Sequence, residues 1–155
     1  MSGLVANASP TKPEPDVQSG EFWPAVNIAA LRAAVRITGD VTVERLRAAV
    51  VSAVIAVNDE LTLWGETQQA KGFITLAAVP SPIIDGKSRL TQLYMRAVQC
   101  ATAVELHERY RSYDATAQGN QRADDLTPTI DEMRRDLRYA ISDVAGTRRV
   151  TAELI

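Results

Sequence analysis

The sequence predicts an all-α protein: a small helical bundle of about four helices, with an extended N-terminal arm, a long loop between helices 2 and 3, and an extended C-terminal tail. Three observations carry this expectation. Apolar residues recur at steps of three and four through four separate stretches. Pro10, Pro13 and Pro15 crowd the start of the chain, where they block helix propagation. Between residues 65 and 85 the helical period is lost, and Gly72, Pro80 and Pro82 punctuate the gap. The boundaries read as 1–22 for an arm that is disordered or ordered by a partner, 23–146 for the helical domain, and 147–155 for the tail.

Composition narrows the function. At 155 residues the chain fits one domain with a real core. Its 17 basic and 19 acidic residues leave a formal charge of −2, so there is no global footprint for nucleic acid or an anionic membrane. A single cysteine, Cys100, rules out an internal disulfide framework. No apolar run reaches the length of a membrane span, and Met1 to Pro15 lacks the basic start and apolar centre of a signal peptide. A soluble protein, made and used in a cytoplasm, is expected.

The elements follow in order. The arm is read either as a loose terminus or as a segment that orders on a partner, with Phe22 and Trp23 as its aromatic anchor. A short helix begins near Asn27, with Ile28, Leu31 and Val35 on one side, and Gly39 stops it. Thr42 then caps a long helix in which Val43, Leu46, Val50, Val54, Val57, Leu61 and Trp64 step by three and four without a break. Val51 and Ile55 widen that stripe, so the helix is either central in the bundle or packed on two sides.

The excursion from Gly65 to Asp85 reads as a long loop. It either projects to touch a partner or wraps back, with Phe73, Ile74, Leu76 and Val79 covering one end of the bundle. A third helix starts near Asp85 as its cap and runs to about Tyr113, with Leu93, Ala97, Cys100, Val104 and His107 on its stripe and Tyr94, Val98 and Ala101 beside it. Glu105 and Arg109, and Glu108 and Arg111, are favourable pairs within that helix. Thr127 followed by Pro128 signals the start of a fourth helix, buried through Ile130, Met133, Leu137, Ile141 and Val144 and ended by Gly146. The closing RRVTAELI alternates apolar and polar residues.

No reaction centre emerges. His107 is the only histidine, so neither a histidine metal pair nor a choice of Ser–His–Asp partners exists. Cys100 lies two helical turns from it, roughly 10 Å by helix rise, too far for an activated thiolate pair within that helix. Asp131, Glu132 and Asp136 are interleaved with Arg134, Arg135 and Arg138, which depress carboxylate pKa values rather than raise them as a general acid needs. Glycine-rich phosphate loops, CxxC and acidic calcium loops are missing from the sequence. No catalytic, metal or cofactor-binding residue is assigned, and no cofactor is expected.

The stretch ERYRSYDATAQGNQRADDLTPTIDEMRRDLRYAI, together with KGFITLAAVP, IDGKS and YMRAVQCATA, resembles the head completion, or head stabilisation, proteins of P2-like tailed bacteriophages. The resemblance runs from about Phe22 to Ile155 and is densest between Glu105 and Ile141. The arm departs from the family pattern, and Tyr139 stands where that pattern has tryptophan.

This resemblance implies a structural virion protein and no enzyme. It implies an adaptor that binds under the portal protein after DNA packaging, forms a ring of twelve copies that extends the DNA channel, and offers a docking site to the tail terminator or other neck proteins. DNA would pass through without sequence-specific binding, no membrane would be involved, and the protein would sit in the virion neck after assembly in the host bacterial cytoplasm. Phe22, Trp23, Arg109, Arg111, Asp131, Arg134, Arg135, Arg138, Val150, Leu154 and Ile155 are the expected subunit or portal contacts. Phe73, Ile74, Pro80, Ile83 and Ile84 are expected on a loop facing the tail or the lumen. Two alternatives stand: a tail-completion or neck ring protein of the same assembly and, more distantly, a small helical DNA-binding regulator.

Overall fold

The computed structural model describes residues 15–35, 41–110 and 129–147. The expected all-α class holds. Five α-helices are present among these residues: α1 (Ile28–Val35), α2 (Val43–Glu60), α3 (Thr62–Ala70), α4 (Arg89–Tyr110) and α5 (Ile130–Ala145). A 3-10 turn at Leu76–Ala78 and a two-stranded antiparallel hairpin, β1 (Ile83–Ile84) and β2 (Lys87–Ser88), lie between α3 and α4. Helix α4 is the centre, because α2 and α5 both pack mainly against it, as do α1 and the 3-10 turn. Glu108 near the end of α4 meets Arg134 near the start of α5, so α5 runs back along α4.

Helix α2 begins where the sequence expects it, with the Thr42 hydroxyl accepting the Arg45 N–H at 3.4 Å. Its inward residues Leu46, Val50, Val54 and Val57 are buried and continue into Leu61. The uninterrupted helix to Trp64, however, is not what forms. The chain breaks at Leu61, whose ψ is 3°, and resumes as α3. At the break the Thr62 hydroxyl donates to the Asn58 carbonyl at 2.9 Å, a back-bond that loosens the helical ladder at that turn.

Gly65 does not end the helix as expected; it lies inside α3, which runs on to Ala70. A β-carbon there would stand 3.1 Å from the Trp23 ring, so the missing side chain is a seat for that indole. Helix α3 therefore takes the first residues of the expected loop.

The rest of the excursion is short and largely tied down. Leu76 and Val79 are buried, and the Leu76 N–H donates to the Phe22 carbonyl at 2.8 Å. Asp85 does not cap α4. Asp85 and Gly86 have φ of 50° and 71°, the paired left-handed backbone of a type I′ hairpin turn, for which Asp-Gly is a preferred pair. Helix α4 therefore starts four residues later, at Arg89. Its buried side is Leu90, Tyr94, Ala97, Val98, Ala101 and Leu106, while Leu93, Cys100, Val104 and His107 are only half-buried. The stripe is rotated towards the residues expected beside it, because α4 must serve two flanking helices rather than one.

Helix α5 is capped by Thr129 rather than Thr127. The Thr129 hydroxyl accepts the Glu132 N–H at 3.3 Å, and the Glu132 carboxylate accepts the Thr129 N–H at 2.8 Å. This reciprocal box satisfies two otherwise orphaned donors. The Thr129 N–H and, at 3.1 Å, the Thr129 hydroxyl both donate to the Glu132 carboxylate and hold that carboxyl below the usual range. The buried side is Ala140, Ile141 and Val144, and the helix ends at Gly146 in left-handed backbone.

Residues 15–26, assigned largely to the arm by sequence, are part of the fold. Val17 and Val26 exchange backbone hydrogen bonds of 2.9 and 2.8 Å, closing the segment into a loop. Its contents are buried: Val17, Ser19 and Phe22. Three polar side chains then form a closed cycle. The Tyr94 hydroxyl donates to Asn58 Oδ1 at 2.8 Å, the Asn58 amide donates to Ser19 Oγ at 3.3 Å, and the Ser19 hydroxyl donates back to the Tyr94 oxygen. The Asn58 amide also reaches the Ser19 carbonyl at 3.2 Å. Tyr94 is the largest fully buried side chain, and burial pushes its phenol up to about 12.

Removing the hydroxyl with Tyr94→Phe takes the acceptor from the buried Ser19 hydroxyl and the donor from Asn58 Oδ1, and is expected to cost about 1 to 3 kcal/mol, read as a lowered denaturation midpoint. Exchange of the Val17 and Val26 amides should quicken with it. The folded-state phenol lies above its ordinary value of 10, so its stabilisation is complete below pH 10 and lost as the pH rises towards 12. Stability curves over that range should fall more steeply for the natural chain than for Tyr94→Phe. Separately, Thr129→Ala should destabilise by about 1 kcal/mol and let the Glu132 carboxyl titrate higher in an NMR pH series.

Candidate functional site

Candidate functional residues are those that the fold holds rigidly and leaves exposed. The hairpin between α3 and α4 meets both conditions. Its first strand presents Ile83 and Ile84 at 68% and 51% exposure. They are not on a loose loop. The Gln92 amide, from the first turn of α4, donates to the carbonyls of Ile84 and Lys87 at 2.7 and 3.2 Å. The Arg89 N–H donates to the Pro82 carbonyl at 2.9 Å, and the hydroxyls of Ser81 and Ser88 are bonded at 2.8 Å. The helix that forms the core thus clamps the hairpin, and two isoleucines project from a fixed frame.

A second exposed apolar feature lies after α3. Ile74 is 80% exposed, Phe73 is half-buried and Pro80 is exposed. Phe73 and Ile74, with Gln69 and Gly72, line one wall of a surface hollow of about 510 Å³ whose other wall is Glu21, Phe22 and Trp23. All five residues expected on the tail- or lumen-facing loop are therefore accounted for: Phe73 half-buried at the hollow, and Ile74, Pro80, Ile83 and Ile84 on the surface.

Phe22 and Trp23 serve the chain's own interior. Phe22 is 5% exposed. The Trp23 ring stacks on Tyr94 with centroids 4.8 Å apart and planes 10° apart, and lies 6.1 Å from Trp64. Phe22 meets Trp23 edge-on at 4.8 Å. Such aromatic contacts add about 0.5 to 1.5 kcal/mol each beyond burial, so this anchor is largely spent on fastening residues 15–26 to α3 and α4.

The charge cluster is partly internal as well. Arg134 pairs with Glu108 at 2.7 Å across α4 and α5, and with Asp131 at 3.8 Å. Glu108 had been matched by sequence with Arg111, which lies outside the described residues. Arg109 pairs with Glu105 as expected, and Arg135 with its neighbour Asp136 at 3.1 Å. Arg138 is exposed. Glu105 is half-buried, whereas the Arg134 and Arg135 pairs are largely solvent-exposed and contribute roughly 0 to 1 kcal/mol each, so these remain available to a partner's charges at little cost. Val150, Leu154 and Ile155 also lie outside the described residues.

Nothing in the described residues assembles chemistry. No group of three His, Cys, Asp or Glu side chains there could hold a metal ion, and no helix among them is long and apolar enough to cross a membrane. Burial pushes the Cys100 thiol up, against a smaller opposing effect of Arg96, a direction that disfavours the thiolate.

Sequence reasoning missed two features. The Ser19–Asn58–Tyr94 cycle has no local signature, since its members are 39 and 36 residues apart. The exposure of Val51 and Ile55 on α2, and of Leu63 on α3, was masked by their apolar character. The hairpin, by contrast, had a signal in Asp85-Gly86, and the α5 cap in the Thr129…Glu132 spacing.

Comparison with known proteins agrees with the resemblance in the sequence. The family described as phage head completion protein (GPL) matches residues 17–155. The head completion/stabilization protein of Escherichia phage P2 is 37% identical over 147 residues, covering 95% of this chain and 87% of that protein. No solved structure matches. A match that spans the bundle, the hairpin and both charged helices leaves no reason to read the chain as an enzyme: it belongs to the phage head completion protein (GPL) family, structural proteins of the virion.

Proposed function

We propose that this head completion protein is an adaptor that binds under the portal protein after DNA packaging, closes a ring of twelve copies that extends the DNA channel, and presents a docking surface to the tail terminator or other neck proteins. The observation that carries the reading is the clamped hairpin: Ile83 and Ile84 are exposed on a frame held by Gln92 and by the Arg89–Pro82 hydrogen bond. Isoleucines on a rigid projection present apolar area at little cost in conformational entropy, which favours a protein contact. Ile74, beside the hollow, adds a second apolar point.

Ring neighbours meet through unlike faces, so one face must complement another. Arg109, Arg111, Asp131, Arg134, Arg135 and Arg138 supply charge for that register, and Val150, Leu154 and Ile155 supply an apolar tail for the portal or the adjacent copy. The formal charge of −2 suits a channel through which DNA slides, because dense phosphate contacts would hold it.

Micrographs of portal-bearing particles mixed with the protein test the placement. A collar of density directly under the portal is expected, whereas a collar at the tail-proximal level would favour the tail-completion reading. The double variant Ile83→Asp, Ile84→Asp should keep its melting behaviour within about 0.5 kcal/mol, because both side chains are exposed. If the hairpin is a buried contact in the particle, each substitution should cost it about 2 kcal/mol or more, and heads without tails should accumulate. Deleting residues 150–155 should abolish incorporation into heads and leave the helices intact by circular dichroism; normal phage yield from that truncation would overturn the tail's role.

A further inference from the structure

Helix α2 keeps apolar residues exposed on its outer face. From Ala48 to Asn58 it carries no charged residue, about three turns of helix. Its inner side, through Leu46, Val50, Val54 and Val57, is buried. On the opposite side, Ala48, Val51, Ser52 and Ile55 share a face at the i, i+3, i+4, i+7 spacing, with Val51 39% and Ile55 56% exposed. Helix α5, which also flanks α4, is the contrast: Asp131, Glu132, Arg134, Arg135 and Arg138 line its exposed side. A helix that is apolar all round belongs inside, and α2 is inside on one side only.

The ends of α2 indicate what covers the other. Its first turns carry Glu44, Arg45 and Arg47, a net positive end, and its last turn carries Asp59 and Glu60, a negative end. The helix dipole has the same sign at each end. Such a face complements itself only when a second copy is turned end for end, because a parallel copy sets like charge on like. Arg45 and Asp59 are each seven residues from Ser52, so a twofold axis near Ser52 places Arg45 opposite Asp59 of the second copy and Ala48 opposite its Ala56. Small residues at those positions allow close approach, while Val51 and Ile55 of both copies lose water.

We propose that the free chain pairs with a second copy of itself through the outer face of α2, with the two helices antiparallel about a twofold axis near Ser52. The pairing concerns the chain before it joins a particle and does not depend on the ring. Because the stripe is short, affinity should fall at the weak end for specific contacts, on the order of 10 to 100 µM.

Sedimentation velocity on the full chain across that concentration range should show a monomer–dimer equilibrium. Ile55→Asp should leave a monomer with an unchanged thermal melt, since Ile55 is exposed. Arg45→Asp and Asp59→Arg should each weaken dimerisation about tenfold, because two attractive pairs become repulsive. An equimolar mixture of these two variants should recover the natural affinity, since only the mixed dimer restores both opposite-charge pairs. A natural chain that stays monomeric to millimolar concentration, an Ile55→Asp variant that dimerises like the natural chain, or a mixture no tighter than either single variant would each overturn the proposal.

Discussion

The structure depends on satisfying one buried phenol. Tyr94 lies at the middle of the fold with no exposure, and its hydroxyl must find partners there or leave an unpaired polar group in the core. The partners come from two distant places, Asn58 near the end of α2 and Ser19 in the segment before α1, and the three close into a cycle in which each donates to the next. Each bond in such a ring polarises its neighbour, and loss of any member breaks two of the three bonds. The ring face of the same tyrosine carries Trp23, which needs the bare Cα of Gly65 to lie flat. A single side chain on α4 therefore sets the position of α2, of residues 15–26 and of the start of α3.

Because α4 is the hub, its two flanking helices have different outer lives. Helix α5 meets water with a charge at nearly every turn, while its buried Ala140, Ile141 and Val144 hold it along α4. Helix α2 meets water with valine and isoleucine. At the N-terminal end of α4, the same helix clamps the hairpin through Gln92, so the exposed isoleucines inherit the rigidity of the core. The fold places its exposed apolar surface on elements that are themselves firmly held.

Several boundaries moved between sequence and structure, each for a nameable reason. Gly65 looks like a stop in isolation, and it is tolerated in α3 because an indole occupies the space. Asp85 is a plausible cap until Gly86 follows it, when the pair prefers a hairpin turn. Thr127 with Pro128 is a good start signal, yet Thr129 with Glu132 three residues on satisfies two donors where a lone threonine satisfies one. Leu93, Cys100 and Val104 share a helical stripe, but a central helix buries the rows facing both neighbours, and those rows are centred on Tyr94, Ala97 and Ala101.

By itself the sequence determined the class, the order of four of the five helices found among the described residues, most of their apolar faces and the family. These follow from local periodicity, from capping chemistry and from residue identities that survive without coordinates. It also placed Ile74, Pro80, Ile83 and Ile84 in the one stretch that breaks helical period. Tertiary structure alone decided which apolar residues stay dry. Phe22 became core and Trp23 packed half-buried against it, while Val51 and Ile55 became surface, although all four look equally apolar in the chain. Hydrophobicity states how much a side chain gains by leaving water; whether it can leave depends on what long-range packing brings to its side, and Tyr94 brought residues 15–26 to the core while Val51 and Ile55 stayed exposed.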